Sequence, residues 1–175
     1  MGNKPVAKVL LSKWIPRRDL ECVEIKNGSR VVMTMYCSTN IVYIRPDDED
    51  MREKFVLLSN EVAACATKSK PIEEPPVVGD MYCARLLENK CFYRAVVKSF
   101  NGDKVKIAFV DYGNEQEVDV KDLRPLPEAL KRVPCFAVKV MLKYVPKLAT
   151  GKAIKYLNDL ICQNEELVVV NILAL

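Results

Sequence analysis

The sequence predicts a mainly β fold with two helices, an α+β chain in which a small barrel interrupts a second, discontinuous domain. Three observations lead there. Residues 79–126 hold four or five short strand-like runs separated by turn residues, a density that suits a small, highly curved antiparallel barrel. Apolar residues recur at helical spacing in two places: Met51, Phe55, Leu58, Val62 and Cys65, then Leu148, Ile154, Leu157, Leu160 and Ile161. Strand-like runs also flank the barrel, too few on either side to bury a core alone, so the flanks are expected to combine into one domain.

Taken in order, residues 20–27 (LECVEIKN) and 31–45 (VVMTMYCSTNIVYIR) carry β-branched and aromatic residues with partial alternation, and Asn27-Gly28 and Ser38-Thr39-Asn40 supply turns. They read as two or three strands. After Pro46 the first helical stripe predicts an amphipathic helix over residues 49–70, about five turns long. PIEEPP then places three prolines in six residues, which no helix survives, and marks a stiff extended connector. The barrel follows as DMYCARLL, CFYRAVVKSF, KVKIAFVDYG and EQEVDVKDLRPL, with Asn89-Lys90 and Asn101-Gly102-Asp103 as turns. PCFAVKVMLKYV reads as a strand, residues 147–162 as the second helix, and LVVVNILAL as a closing buried strand. The expected segments are therefore residues 1–75 and 129–175 for the divided domain, with the barrel at 76–128.

Half of the 175 residues are apolar, which suffices for a proper core, and charges break every apolar run well short of a membrane span. No membrane association is expected. The net charge of +4 arises from 27 basic and 23 acidic residues mixed along the chain, a solvated surface without the basic stripe typical of nucleic-acid binding. Seven scattered cysteines, most among apolar neighbours, read as reduced core residues of a cytoplasmic or nuclear protein. With no C-x-x-C pair and no histidine, no metal site and no cofactor is expected. The chain also lacks a nucleophile elbow and a glycine-rich phosphate loop. Asp47-Asp48-Glu49-Asp50 stand consecutively before a helix, where acids complement the helix dipole. An enzyme is not expected.

The barrel does carry a pattern suited to a cation. Tyr93 lies on one expected strand, Phe109 and Tyr112 on the next, and Asn114 follows Gly113. Residues three apart on a regular strand face opposite sides, so Phe109 and Tyr112 converge only if the chain bends between them, a bend that Gly113 permits. Aromatic faces with a nearby amide suit a methylated ammonium or guanidinium, each cation–π contact contributing on the order of 0.5 to 2 kcal/mol. The alternative is that these rings are simply barrel core. Arg94 and Asp111, on neighbouring expected strands beside these residues, have two open readings: they pair and fix the strands or the junction with the flanks, or both are solvated.

The run from Val77 to Pro127 resembles a Tudor domain, through Gly79-Asp80, Phe92-Tyr93-Arg94-Ala95, Phe109-Val110-Asp111-Tyr112-Gly113-Asn114 and Asp122-Leu123-Arg124-Pro125-Leu126. The whole arrangement resembles the extended Tudor module of germline Tudor-family, PIWI-interacting proteins, an SH3-like Tudor barrel inserted into a staphylococcal-nuclease-like OB fold. The resemblance implies a non-catalytic adaptor of the piRNA pathway, located in the perinuclear germ granules (nuage) of the cytoplasm, that binds the arginine-rich N-terminal tail of a PIWI-type Argonaute. It implies an aromatic cage with Tyr93, Phe109 and Tyr112 as walls, Asn114 as the amide, and Leu86 at the position of the first wall. Leucine offers no quadrupole to a cation, so the cage is incomplete; Tyr82 lies on the same strand face as Leu86. Two readings stay open here: recognition of symmetrically dimethylated arginine, or methylation-independent binding of an arginine peptide or protein partner. Single-stranded RNA is a further candidate, through Tyr36, Tyr43 and Arg45 of the OB-like part.

Overall fold

The computed structural model describes residues 6–17 and 19–170. Residues 171–175 of the expected closing strand lie outside them. Ten strands and three α-helices form among the described residues: β1 (Ala7–Trp14), β2 (Arg30–Tyr36), β3 (Ile41–Pro46), α1 (Glu49–Lys68), β4 (Met81–Arg85), β5 (Phe92–Asn101), β6 (Lys104–Phe109), β7 (Glu115–Asp119), β8 (Leu123–Pro125), α2 (Glu128–Lys131), β9 (Val138–Leu142), α3 (Gly151–Cys162) and β10 (Leu167–Val170). The fold is mainly β, as the sequence predicts. No helix of the described residues is long and apolar enough to cross a membrane.

The chain divides into two compact units, one comprising the residues through Arg52 and from Phe136 onward, the other Glu53–Cys135. The first is a closed five-stranded barrel in the order β1-β10-β2-β3-β9. Its β1 runs parallel to β10, and every other pair is antiparallel. The core follows the two-residue period of a strand: Val31 and Met33, Val42 and Ile44, Val138 and Val140, and Leu167 and Val169 all turn inward. Leu157 and Leu160 of α3 enter the same core. This helix starts later than its apolar spacing suggests because Thr150 caps it, the hydroxyl accepting the Ala153 N–H at 3.2 Å.

One expected strand is absent and an unexpected one replaces it. Residues 20–27 contribute only a bridge at Cys22, and only Ile25 among them is buried. In the closed barrel β2 already pairs with β10 on one side and β3 on the other, so no edge remains for this segment. The N-terminal strand is instead β1, whose Val9 and Leu11 fill the core.

The second unit holds a five-stranded antiparallel sheet in the order β7-β6-β5-β4-β8. Its two edge strands, β7 and β8, are joined by a single 3-10 turn, Val120–Asp122. A three-residue link spans only about 10 Å, so the sheet must curl until its edges approach each other. Ala84, Ala95, Val97, Val105, Ile107, Phe109, Val118 and Leu123 fill the concave side. The opposite face of β8, β4 and β5 is fixed by register: Cys83 pairs with both Arg124 and Arg94, and Arg85 pairs with Phe92. Leu58, Val62 and Ala66, one helical turn apart on α1, form that helix's buried stripe.

Candidate functional site

At the end of β6 the chain folds back within four residues. The Gly113 N–H donates to Phe109 O at 2.8 Å, the Phe109 N–H donates to Asn114 O at 2.9 Å, and Gly113 sits at φ 97°. That backbone angle is strained for any residue with a Cβ, which is why glycine stands here. The bend brings Tyr112 back beside β5. Tyr93 meets Tyr112 with ring centroids 5.0 Å apart at 73°, and meets Phe109 at 6.2 Å and 90°. Both are edge-to-face contacts, the arrangement that aromatic quadrupoles favour.

The residues singled out from the sequence differ in how they are placed. Phe109 is fully buried and belongs to the core on the concave side of the curled sheet, so it braces Tyr93 from beneath and offers no exposed face. Tyr93, Tyr112 and Leu86 are half-buried and pack against the same core. Asn114 is half-buried too, and its side-chain amide makes no hydrogen bond among the described residues. Tyr82 stands apart from the rings: its hydroxyl accepts the Val77 N–H at 3.1 Å, and Lys131 lies 5.9 Å from its centroid.

Three further residues shape the site and were not singled out by sequence reasoning. Phe55 of α1 touches Tyr112 edge-on, with centroids 5.9 Å apart, and adds a partly exposed ring. Its place in the helical stripe was the available signal. Asn89 donates from Nδ2 to the Tyr93 hydroxyl at 2.8 Å while its Oδ1 accepts the Cys91 N–H, so the β4–β5 turn holds the ring. Gln116 of β7 accepts the Leu87 N–H and donates to Arg85 O, both at 3.1 Å. Its amide stands in for a neighbouring strand and ties the sheet's edge to the turn that carries Leu86. Nothing in the local sequence announces that contact.

Arg94 and Asp111 lie behind the rings. The Arg94 guanidinium donates to both Asp111 carboxylate oxygens at 2.6 and 2.9 Å, and to Leu130 O, Val133 O and Pro134 O at 2.8, 2.6 and 3.2 Å. Its five donors are thereby matched, as burial to 1% exposure requires. Leu130 O belongs to the short helix α2, too short to satisfy its own last carbonyls.

Other chemistries find less support. Burial, followed by the neighbouring Cys65, pushes the Cys83 thiol up to about 12, which keeps it protonated and unreactive. Tyr43 is only 9% exposed, with Arg17 and Lys139 at 5.3 and 5.8 Å from its ring, so it presents no stacking platform for an RNA base.

The comparison with known proteins agrees with this architecture. The Tudor domain family model matches residues 23–144, well over half of the chain. Tudor domain-containing protein 1 of Oryzias latipes is 38% identical over 68 residues, which cover 38% of this chain and 6% of that protein. The Homo sapiens protein of the same name is 34% identical over 114 residues, covering 63% of this chain and 10% of that protein. The chain thus spans a small fraction of the length of the curated relatives it matches. Among solved structures, the extended Tudor domain TD3 from mouse TDRD1, in complex with a MILI peptide containing dimethylarginine, gives a TM-score of 0.62 at 27% identity, covering 69% of this chain and 63% of that one. The extended Tudor domain of Drosophila melanogaster Tudor-SN gives 0.67 at 21% identity over 80% of this chain and 66% of that one, a likeness of fold. The chain belongs to the Tudor domain family, as an extended Tudor domain.

Proposed function

We propose that this chain is a non-catalytic adaptor module that binds an arginine-containing peptide, of the kind found in the N-terminal tail of a PIWI-type Argonaute. The observation that carries the reading is the set of partly exposed rings, Tyr93, Tyr112 and Phe55, in mutual contact where the chain turns at Gly113, with Asn114, whose amide is unengaged, two residues after Tyr112. A guanidinium stacks on such faces and donates N–H groups to an amide oxygen. Support also comes from the mouse TDRD1 domain, 27% identical, whose complex holds a dimethylarginine peptide. The proposed setting is a larger scaffold of the piRNA pathway in perinuclear germ granules.

Symmetric dimethylation is the preferred state of the ligand, because methyl groups increase contact with the rings while the charge remains. Leu86 supplies no π face at the first wall of the cage, which lowers affinity by roughly 0.5–2 kcal/mol, or about 2- to 30-fold, relative to a cage with an aromatic there. The test is a calorimetric titration of one arginine peptide in unmodified and symmetrically dimethylated forms, against the native chain and Tyr112→Ala. The dimethylated peptide is expected to bind more tightly, and Tyr112→Ala to weaken it about tenfold. Equal affinities for the two forms would overturn the methyl preference; an unchanged affinity in Tyr112→Ala would remove the site.

A further inference from the structure

A second cleft lies on the opposite side of β5. Successive strand residues face opposite ways, so Tyr93 points toward the core on the concave side of the sheet while Phe92 points toward the outer face shared with Arg85 and Arg124. There the sheet and the last turns of α1 enclose a space of about 420 Å³. Ala63 and Ala66 form one wall, and Arg85, Lys90, Phe92 and Arg124 form the other. Among the described residues no acidic one lines it.

The three cations stand without counter-charges. Among the described residues Arg85, Lys90 and Arg124 form no ion pair, whereas Lys104, Lys106 and Lys131 of the same unit each do. Both guanidiniums are held in place by one ring: Arg85 Cζ lies 4.9 Å and Arg124 Cζ 5.5 Å from the Phe92 centroid. Arg124 is further fixed by donating from Nη1 to Lys121 O and Leu123 O, which leaves its other nitrogens open. At the end of α1, Cys65 O and Ala66 O already accept from the Ser69 hydroxyl and N–H. Unpaired, preorganised guanidinium forks beside a lysine match carboxylate or phosphate oxygens.

We infer that this cleft is a docking site for an acidic protein segment, its carboxylate-bearing side chains held by Arg85, Arg124 and Lys90. An acidic peptide fits better than a nucleic acid because the three cations form one focus in the cleft and not the basic stripe that a nucleic-acid backbone follows. The inference is independent of the arginine site, which faces the other side of the strand.

Fluorescence anisotropy with a short labelled oligoglutamate tests it, with oligoglutamine as the neutral control and oligouridylate as the nucleic-acid control. Oligoglutamate is expected to bind the native chain, weakening as salt rises from about 50 to about 300 mM. The double variant Arg85→Gln/Arg124→Gln should weaken it at least about tenfold, and Lys90→Gln, in an exposed turn where folding is not at stake, about threefold. Lys98→Gln, six residues or roughly 20 Å farther along β5, should leave it unchanged. The inference is overturned if oligoglutamine binds equally, if Lys90→Gln has no effect, if Lys98→Gln weakens binding as much as Lys90→Gln, or if oligouridylate binds more tightly and is lost in the same variants.

Discussion

Arg94 shows how much one buried side chain can organise. Its guanidinium joins β5 to Asp111, which follows β6, and to three carbonyls of the segment that includes α2, so a single residue ties together three parts of the chain. Replacing it with alanine would leave Asp111 buried without its cation and the three carbonyls without donors. The expected cost is about 3–5 kcal/mol, because an uncompensated buried charge outweighs the net worth of the pair itself. Urea unfolding of Arg94→Ala measures this, and an unchanged midpoint would mean that the pairing is not structural. At the same scale, the site was legible only in part. The Gly113 turn makes the convergence of Tyr112 with Tyr93 readable, since glycine permits the bend that brings them together. Whether Phe109 is wall or core is not readable, because a residue at a strand's last position can serve either role and only packing decides.

The elements were more legible than their partners. Strand alternation and helical spacing reveal which face of a segment is apolar, and β2, β3, β5, β6 and α1 follow from that. Pairing is a global property, and this is where local pattern falls short: residues 20–27 have strand composition but meet a barrel with no free edge, while β1 has weaker alternation yet fits between β10 and β9. Gln116 is a similar case, an unremarkable polar residue whose amide completes the curled sheet at a place where no backbone ladder supplies the bonds. Gln116→Ala should therefore cost about 0.5–1.5 kcal/mol, the range for an exposed hydrogen-bonded group. More specifically, amide exchange at Leu87 should accelerate while that of Ile107 in the sheet interior stays slow. Unaltered exchange at Leu87 would show that the turn carrying Leu86 holds its shape without this contact.

On the scale of the whole molecule, the order of elements along the chain imposes a dependence that neither unit's contacts reveal alone. The first unit draws β1, β2 and β3 from before the sheet-bearing unit and β9, α3 and β10 from after it. In the closed barrel β1 has only two neighbours, β10 and β9, and both come from the second stretch. A chain ending at Cys135 would therefore leave β1 without any partner and reduce the barrel to the β2–β3 hairpin, which is marginal in water by itself. Val31, Met33, Val42 and Ile44 would also lose the apolar residues of β9, α3 and β10 that share their core. The second unit keeps every strand of its sheet, together with Arg94, Asp111 and the carbonyls that Arg94 binds. Hydrogen exchange on this truncated chain should show amides of β2 and β3 exchanging at nearly unfolded rates while those of β5 and β6 remain protected. Retained protection at Met33 and Ile44 would mean that the amino-terminal strands form a stable sheet without the returning segment, against the closure that the pairing of β1 with β9 and β10 requires.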